Sequence, residues 1–150
     1  MPQSLSQVYV HIIFSTKNRQ RNIDESIESR LYDYLGGTCK GLECSPIEIG
    51  GHIDHVHILC RLSRKISQMD LLREVKHESS LWIKGVSDRY SHFYWQDGYG
   101  IFSVSKSSLE RVRAYIKNQK GHHRRISFKE EFIELLEENG IDYNEKYLWD

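Results

Sequence analysis

The chain has 150 residues, 39% of them hydrophobic, which suits a single domain around one ordinary core. It contains no apolar run near the ~18 residues of a membrane span and no charged, apolar and small-residue leader at its start, so neither a transmembrane helix nor a secretory signal is expected, and a cytoplasmic location is. Net charge is zero and the three cysteines, Cys39, Cys44 and Cys60, form no Cys-x-x-Cys pair; this argues against a disulfide framework and fits a reducing compartment.

In chain order, residues 7 to 15 are rich in β-branched and aromatic side chains and predict a strand. Asp24 is placed to cap a helix carrying Ile27, Leu31 and Leu35 on one face, with Gly36-Gly37 near its end. Residues 46 to 51 and 54 to 61 predict two strands meeting at Gly50-Gly51-His52-Ile53. Ser67 with Asp70 resembles a capping box opening a helix through Leu71, Leu72, Val75 and Ile83. Phe93 to Val104 reads as extended. Ser107 with Glu110 predicts a helix to about Lys120 stopped by Gly121, and Ser127 with Glu130 a last helix ending near Gly140. The order is that of a ferredoxin-like α+β domain, a split βαβ antiparallel sheet with helices on one face, followed by a C-terminal helical extension.

The zero net charge conceals a segregation. Lys106 to Lys129 holds eight Lys/Arg against Glu110 alone, whereas Glu130 to Asp150 holds eight acidic residues against Lys146. A basic segment thus precedes an acidic tail, a pattern that suits phosphate binding as well as it suits two solvated faces.

The chemistry is concentrated in Asp54-His55-Val56-His57-Ile58-Leu59. Residues two apart on a strand point to the same face with about 7 Å between their α-carbons, so His55 and His57 can aim two imidazoles at one ion while Val56, Ile58 and Cys60 face a core. An arbitrary His-x-His pair is more often solvated or hydrogen-bonded than ligating. A histidine-triad nucleotidyl hydrolase needs a third histidine where Leu59 stands, and a paired His-x-Ser/Thr phosphoesterase needs a hydroxyl where His57 stands. Cys39 and Cys44 match no common zinc spacing. Further on, Tyr115 and Gln119 lie four apart on a predicted helix and share a face. That spacing serves a nucleophile beside a ligand, or a packed tyrosine beside an exposed amide. A phenol with a pKa near 10 is a poor nucleophile at neutral pH, so its attack on a phosphate requires an activated electrophile.

Taken together, Ile13-Phe14-Ser15-Thr16-Lys17, Asp54-His55-Val56-His57, Trp95 to Ser105, Tyr115-Ile116-Lys117-Asn118-Gln119 and Tyr147-Leu148-Trp149-Asp150 resemble the single-tyrosine HUH transposases of the insertion-sequence two-hundred/six-hundred-and-five group over almost the whole chain. The resemblance implies cleavage and rejoining of single-stranded DNA at transposon ends. Tyr115 would be the nucleophile that forms a 5′-phosphotyrosine link and frees a 3′-hydroxyl. His55, His57 and Gln119 would hold Mg²⁺ or Mn²⁺, the second suiting two imidazoles better. It also implies a hairpin-bearing DNA partner and a homodimer in which tyrosine helices can be exchanged, with Gly121 and the loop before Ser107 as hinges. Two alternatives keep the same fold: a domesticated, non-cutting binder of hairpin DNA or RNA, and a replication initiator or relaxase-type nickase.

Single strands are held by a positive groove with aromatic platforms. Lys17, Arg19 and Arg21 after the first strand, Arg61, Arg64 and Lys65 after the histidine strand, and Lys117 and Lys120 beside Tyr115 are the candidate phosphate contacts. Trp95 and Tyr99 are candidates for base stacking, although core packing suits that aromatic stretch better.

Overall fold

The computed structural model describes residues 2–150. Its order is β1 (Tyr9–Ser15), α1 (Glu28–Gly41), β2 (Pro46–His52), β3 (His55–Arg61), α2 (Gln68–Val86), β4 (Gly100–Val104), α3 (Leu109–Lys117), α4 (Gln119–His122), α5 (Phe128–Glu138) and α6 (Glu145–Leu148). The four strands form one antiparallel sheet in the order β2-β3-β1-β4. This is the α+β, split βαβ arrangement expected. Among the described residues no helix is long and apolar enough to cross a membrane.

The two-residue period of the central strands assigns side chains to opposite faces. Val10, Ile12 and Phe14 of β1 and Val56, Ile58 and Cys60 of β3 face α1 and α2, where they join Leu31, Leu35, Cys39, Leu71, Leu72, Val75 and Ile83 in the main core. His11 and Ile13 of β1 and His55, His57 and Leu59 of β3 point to the other face. There Leu59 packs with Val112 and Ile116 of α3, and Ile13 with Phe128, Phe132 and Leu136 of α5. The C-terminal extension therefore roofs the face opposite α1 and α2.

Ser67 and Ser127 cap α2 and α5 as their sequences predict, accepting from the N–H of Asp70 and Glu130 at 3.1 and 3.2 Å. Four local expectations are corrected. Helix α1 runs through Gly36-Gly37, because a glycine at 36 lets the helix lie close to β2: a β-carbon there would stand 3.3 Å from Ile49. Asp24 caps the preceding turn through the N–H of Ser26 rather than α1 itself. Ser107 belongs to a 3₁₀ turn, α3 starts at Leu109 without a side-chain cap, and the chain bends at Asn118 and continues through Gly121 in α4. Within 93–104 only Gly100–Val104 is a strand, with an isolated bridge from Trp95 to Thr16. Trp95 is a core residue, edge-on to Phe14 and Phe93 and donating its indole N–H to Ser79 at 2.9 Å; it offers no free ring for a base.

Candidate metal centre and tyrosine

Four buried or half-buried groups converge where the start of β3 meets the α3–α4 bend. His55 Nε2 lies 2.8 Å from Gln119 Oε1, and His55 and His57 are both fully buried. Tyr115 and Gln119 remain on one side because the bend at Asn118 interrupts the helix by only a single residue. Gly50 sets their approach: a β-carbon on it would stand 2.9 Å from the Ile116 carbonyl oxygen, so only a glycine lets α3 settle against β2 here. All four residues anticipated from the sequence thus meet within one chain.

At the centre of the cluster stands Glu131 of α5, which the sequence reading missed. Its Oε1 lies 3.1 Å from His57 Nε2, 3.3 Å from His55 Nε2 and 3.0 Å from His123 Nε2. Its Oε2 accepts from Gln119 Nε2 at 2.9 Å and from the Tyr115 hydroxyl. His122 Nε2, buried and without a hydrogen bond, lies 3.5 Å from the same oxygen. The signal was present in the helix period: Glu131 is three residues after Phe128 and four before Leu135, an acid on the apolar stripe of α5.

Electrostatics follow from this packing. Burial alone would raise the Glu131 carboxyl, but hydrogen bonds with His123, His55 and His57 hold it well below the usual carboxylate range. Burial would likewise lower the His55 imidazole, whereas its bonds to Asp54 and Glu131 push it up to about 9. Burial holds His57 below its ordinary value despite Glu131. The Tyr115 phenol is raised, first by burial and then by the Glu131 charge, so it remains protonated at neutral pH.

The donor set fits a divalent cation. Ionised Asp54 accepts from His55 Nδ1 at 2.8 Å, which leaves His55 Nε2 directed at two oxygens, Gln119 Oε1 and Glu131 Oε1. In neutral His55 that nitrogen carries only a lone pair, and lone pairs converging on one point require a positive charge between them. A proton supplies it in the metal-free protein, and an ion can replace the proton. His57 Nδ1 is 2.7 Å from His11 Nε2; burial, then the nearby His57, hold His11 down to about 3, so it is a neutral partner able to fix the His57 ring, as outer-shell groups do for metal ligands. His55, His57 and Glu131 can thus hold a metal ion.

The basic residues divide. Lys17 and Arg21 are exposed just beyond the end of β1, where Ser15 pairs with His55. Arg19 beside them is committed to the C-terminus, its Nη1 donating to the Trp149 carbonyl at 2.7 Å. Lys117 and Lys120 are exposed, the first 3.8 Å from Glu48 and the second bonded to Glu28. Arg61, Arg64 and Lys65 do not surround the site: Arg61 ends β3, about 20 Å from His55 at the rise of a strand, and Arg64 and Lys65 follow in the turn beyond it. Arg61 bonds the Ser6 carbonyl and Lys65 pairs with Glu43.

Among solved structures, the fold is similar to that of a protein from Deinococcus radiodurans R1 described as a candidate transposase, with TM-score 0.62, 19% identity, and 79% of this chain and 98% of that chain covered. It is also similar to a REP-associated tyrosine transposase bound to a REP hairpin, with TM-score 0.61, 12% identity, and 82% of this chain and 72% of that chain covered. No curated protein matches. Residues 4–119, the stretch that supplies His55, His57, Tyr115 and Gln119, match the family described as "Transposase IS200 like". With its paired strand histidines and its tyrosine brought to one pocket on this sheet, the chain belongs to the IS200-like transposase family.

Proposed function

We propose that this transposase cleaves and rejoins single-stranded DNA at insertion-sequence ends through a 5′-phosphotyrosine intermediate, with Mg²⁺ or Mn²⁺ held by His55, His57 and Gln119. The observation that carries the reading is the convergence of Tyr115, Gln119, His55 and His57 in one pocket, with His55 Nε2 and Gln119 Oε1 2.8 Å apart. A bound divalent ion polarises the scissile phosphate. The Tyr115 oxygen attacks phosphorus, and the bond to the 3′-oxygen breaks. The 3′-oxygen leaves as a hydroxyl carrying a proton, and the phosphate stays on the 5′ side, joined to Tyr115. Because the phosphodiester is exchanged rather than hydrolysed, another strand's 3′-hydroxyl can reverse the step and join new partners.

Hairpin-bearing DNA is the proposed partner, supported by the hairpin held by the similar REP-associated transposase. Lys117 and Lys120, exposed on the helices that carry Tyr115 and Gln119, and Lys17 and Arg21, exposed just beyond β1, are its proposed phosphate contacts. The proposed assembly is a homodimer. Each chain already contains its own tyrosine and histidines, which supports a site completed without exchange of helices.

The test is incubation of wild type and Tyr115→Phe with end-labelled single-stranded DNA carrying the element's end, in Mn²⁺, followed by denaturing electrophoresis. A covalent adduct carrying the 3′ label, absent from the Phe variant and absent with duplex DNA, is expected. Tight hairpin binding with no adduct on any element end would instead mark a non-cutting binder.

A further inference from the structure

We propose that Glu131 is a fourth ligand of the ion held by His55, His57 and Gln119, and that its second oxygen positions the Tyr115 hydroxyl. The assignment rests on reading the pocket as a divalent-metal site, and it extends the site beyond residues 4–119, where the family match ends.

Spacing is the first support. Adjacent ligands around an ion with bonds of about 2.1 Å at right angles lie about 3 Å apart. Glu131 Oε1 is 3.1 Å from His57 Nε2 and 3.3 Å from His55 Nε2, and His55 Nε2 is 2.8 Å from Gln119 Oε1.

Charge is the second. Two neutral imidazoles and an amide offer a dication no negative charge and only one of the oxygen ligands that Mg²⁺ and Mn²⁺ favour. Glu131 adds both. A fully buried carboxylate is retained only when it is paired or coordinated; among the described residues no lysine or arginine pairs with Glu131, and the positive charge beside it is the one it shares with His55 Nε2, a proton in the metal-free protein whose place an ion can take.

The third support is the division of labour between its oxygens. Oε1 faces the ligand nitrogens, and Oε2 accepts from the Tyr115 hydroxyl and from Gln119. One side chain therefore sets the separation between nucleophile and ion, both of which must meet the same phosphate. Its placement is built in from the sheet. Gly100 of β4 leaves room for Phe132, whose ring would stand 2.7 Å from a β-carbon there. His123, 2.9 Å from the Ile126 carbonyl through Nδ1, steadies Oε1 from the other side.

The experiment is Mn²⁺ binding by the DNA-free full chain, read by electron paramagnetic resonance of free Mn²⁺ and by calorimetry. Glu131→Gln and Glu131→Ala should weaken binding about tenfold or more, as losses around metal sites do; His57→Ala should do the same, and Tyr115→Phe should leave affinity within about twofold. Circular dichroism melts check that each variant folds, and the isosteric Gln variant stands in if Ala does not. At saturating Mn²⁺, Glu131→Gln should form the tyrosine adduct about tenfold more slowly while binding hairpin DNA as tightly as wild type. Unchanged Mn²⁺ affinity in both Glu131 variants, with binding lost in His57→Ala, would overturn the fourth ligand and leave the three-ligand site standing. A wild-type adduct rate in Glu131→Gln would overturn the positioning role. Absence of Mn²⁺ binding by wild type would remove the metal site itself.

Discussion

The two faces of the sheet are made by the same two central strands and do opposite work. Toward α1 and α2, β1 and β3 present Val10, Ile12, Phe14, Val56, Ile58 and Cys60, all buried in an apolar core. Toward α3, α4 and α5 the same strands present His11, His55 and His57, equally buried but satisfied by one another and by Gln119 and Glu131. Apolar burial is non-directional and needs only volume and shape. Buried polar groups need every partner in place. The first face should therefore carry stability, and the second should respond to metal, pH and small displacements.

The largest separation of the two should come from Tyr115→Phe, which is expected to abolish the covalent adduct with little effect on the denaturant midpoint. Its counterpart, Phe14→Ala on the apolar face, should lower unfolding free energy by about 3–5 kcal/mol, measured by urea titration, while leaving native-state Mn²⁺ affinity unchanged. Equal metal sensitivity in both variants would break the division between faces.

Saturation with Mn²⁺ at about one hundred times its dissociation constant should raise stability by about 2.7 kcal/mol, and EDTA should reverse it; the increment should vanish in His57→Ala. Gly50→Ala should cost about 1–3 kcal/mol through the clash with the Ile116 carbonyl, and its adduct rate should fall because α3 moves Tyr115 away from the histidines.

Smallest per unit of change is the effect of pH. His11 is held down to about 3 by burial and by His57, so between about 6.5 and 4.5 the unfolded chain takes up a proton there that the native chain refuses. His55, pushed up to about 9, is charged in both states in that window and adds no slope. The stability from a neutral His11 is present above about pH 6.5 and is lost as pH falls, by up to about 1.4 kcal/mol per unit. His57 and His52, also held below their ordinary values by burial, add slope of the same sign, so His11→Asn should reduce the slope in metal-free urea titrations across the window without abolishing it.

Much of this was legible before the fold. His55 and His57 could be placed on one face because the strand period is two, and Tyr115 and Gln119 because a spacing of four survives a one-residue bend. The capping serines 67 and 127 act locally, through hydrogen bonds reaching three residues, so sequence alone located their helices. Arg19 and Arg61 were legible only as charges; what each bonds, the Trp149 and Ser6 carbonyls, lies 130 and 55 residues away.

Local period and capping, then, are set by interactions within a few residues, and these determined the elements, the histidine face and the tyrosine's neighbour. The tertiary structure alone decided that α5 folds back over the histidines and brings in Glu131, 74 residues after His57. That choice depends on which apolar stripe finds which sheet face, here Phe128, Phe132 and Leu136 against Ile13 and Phe102, and a one-dimensional period does not say where its partner lies.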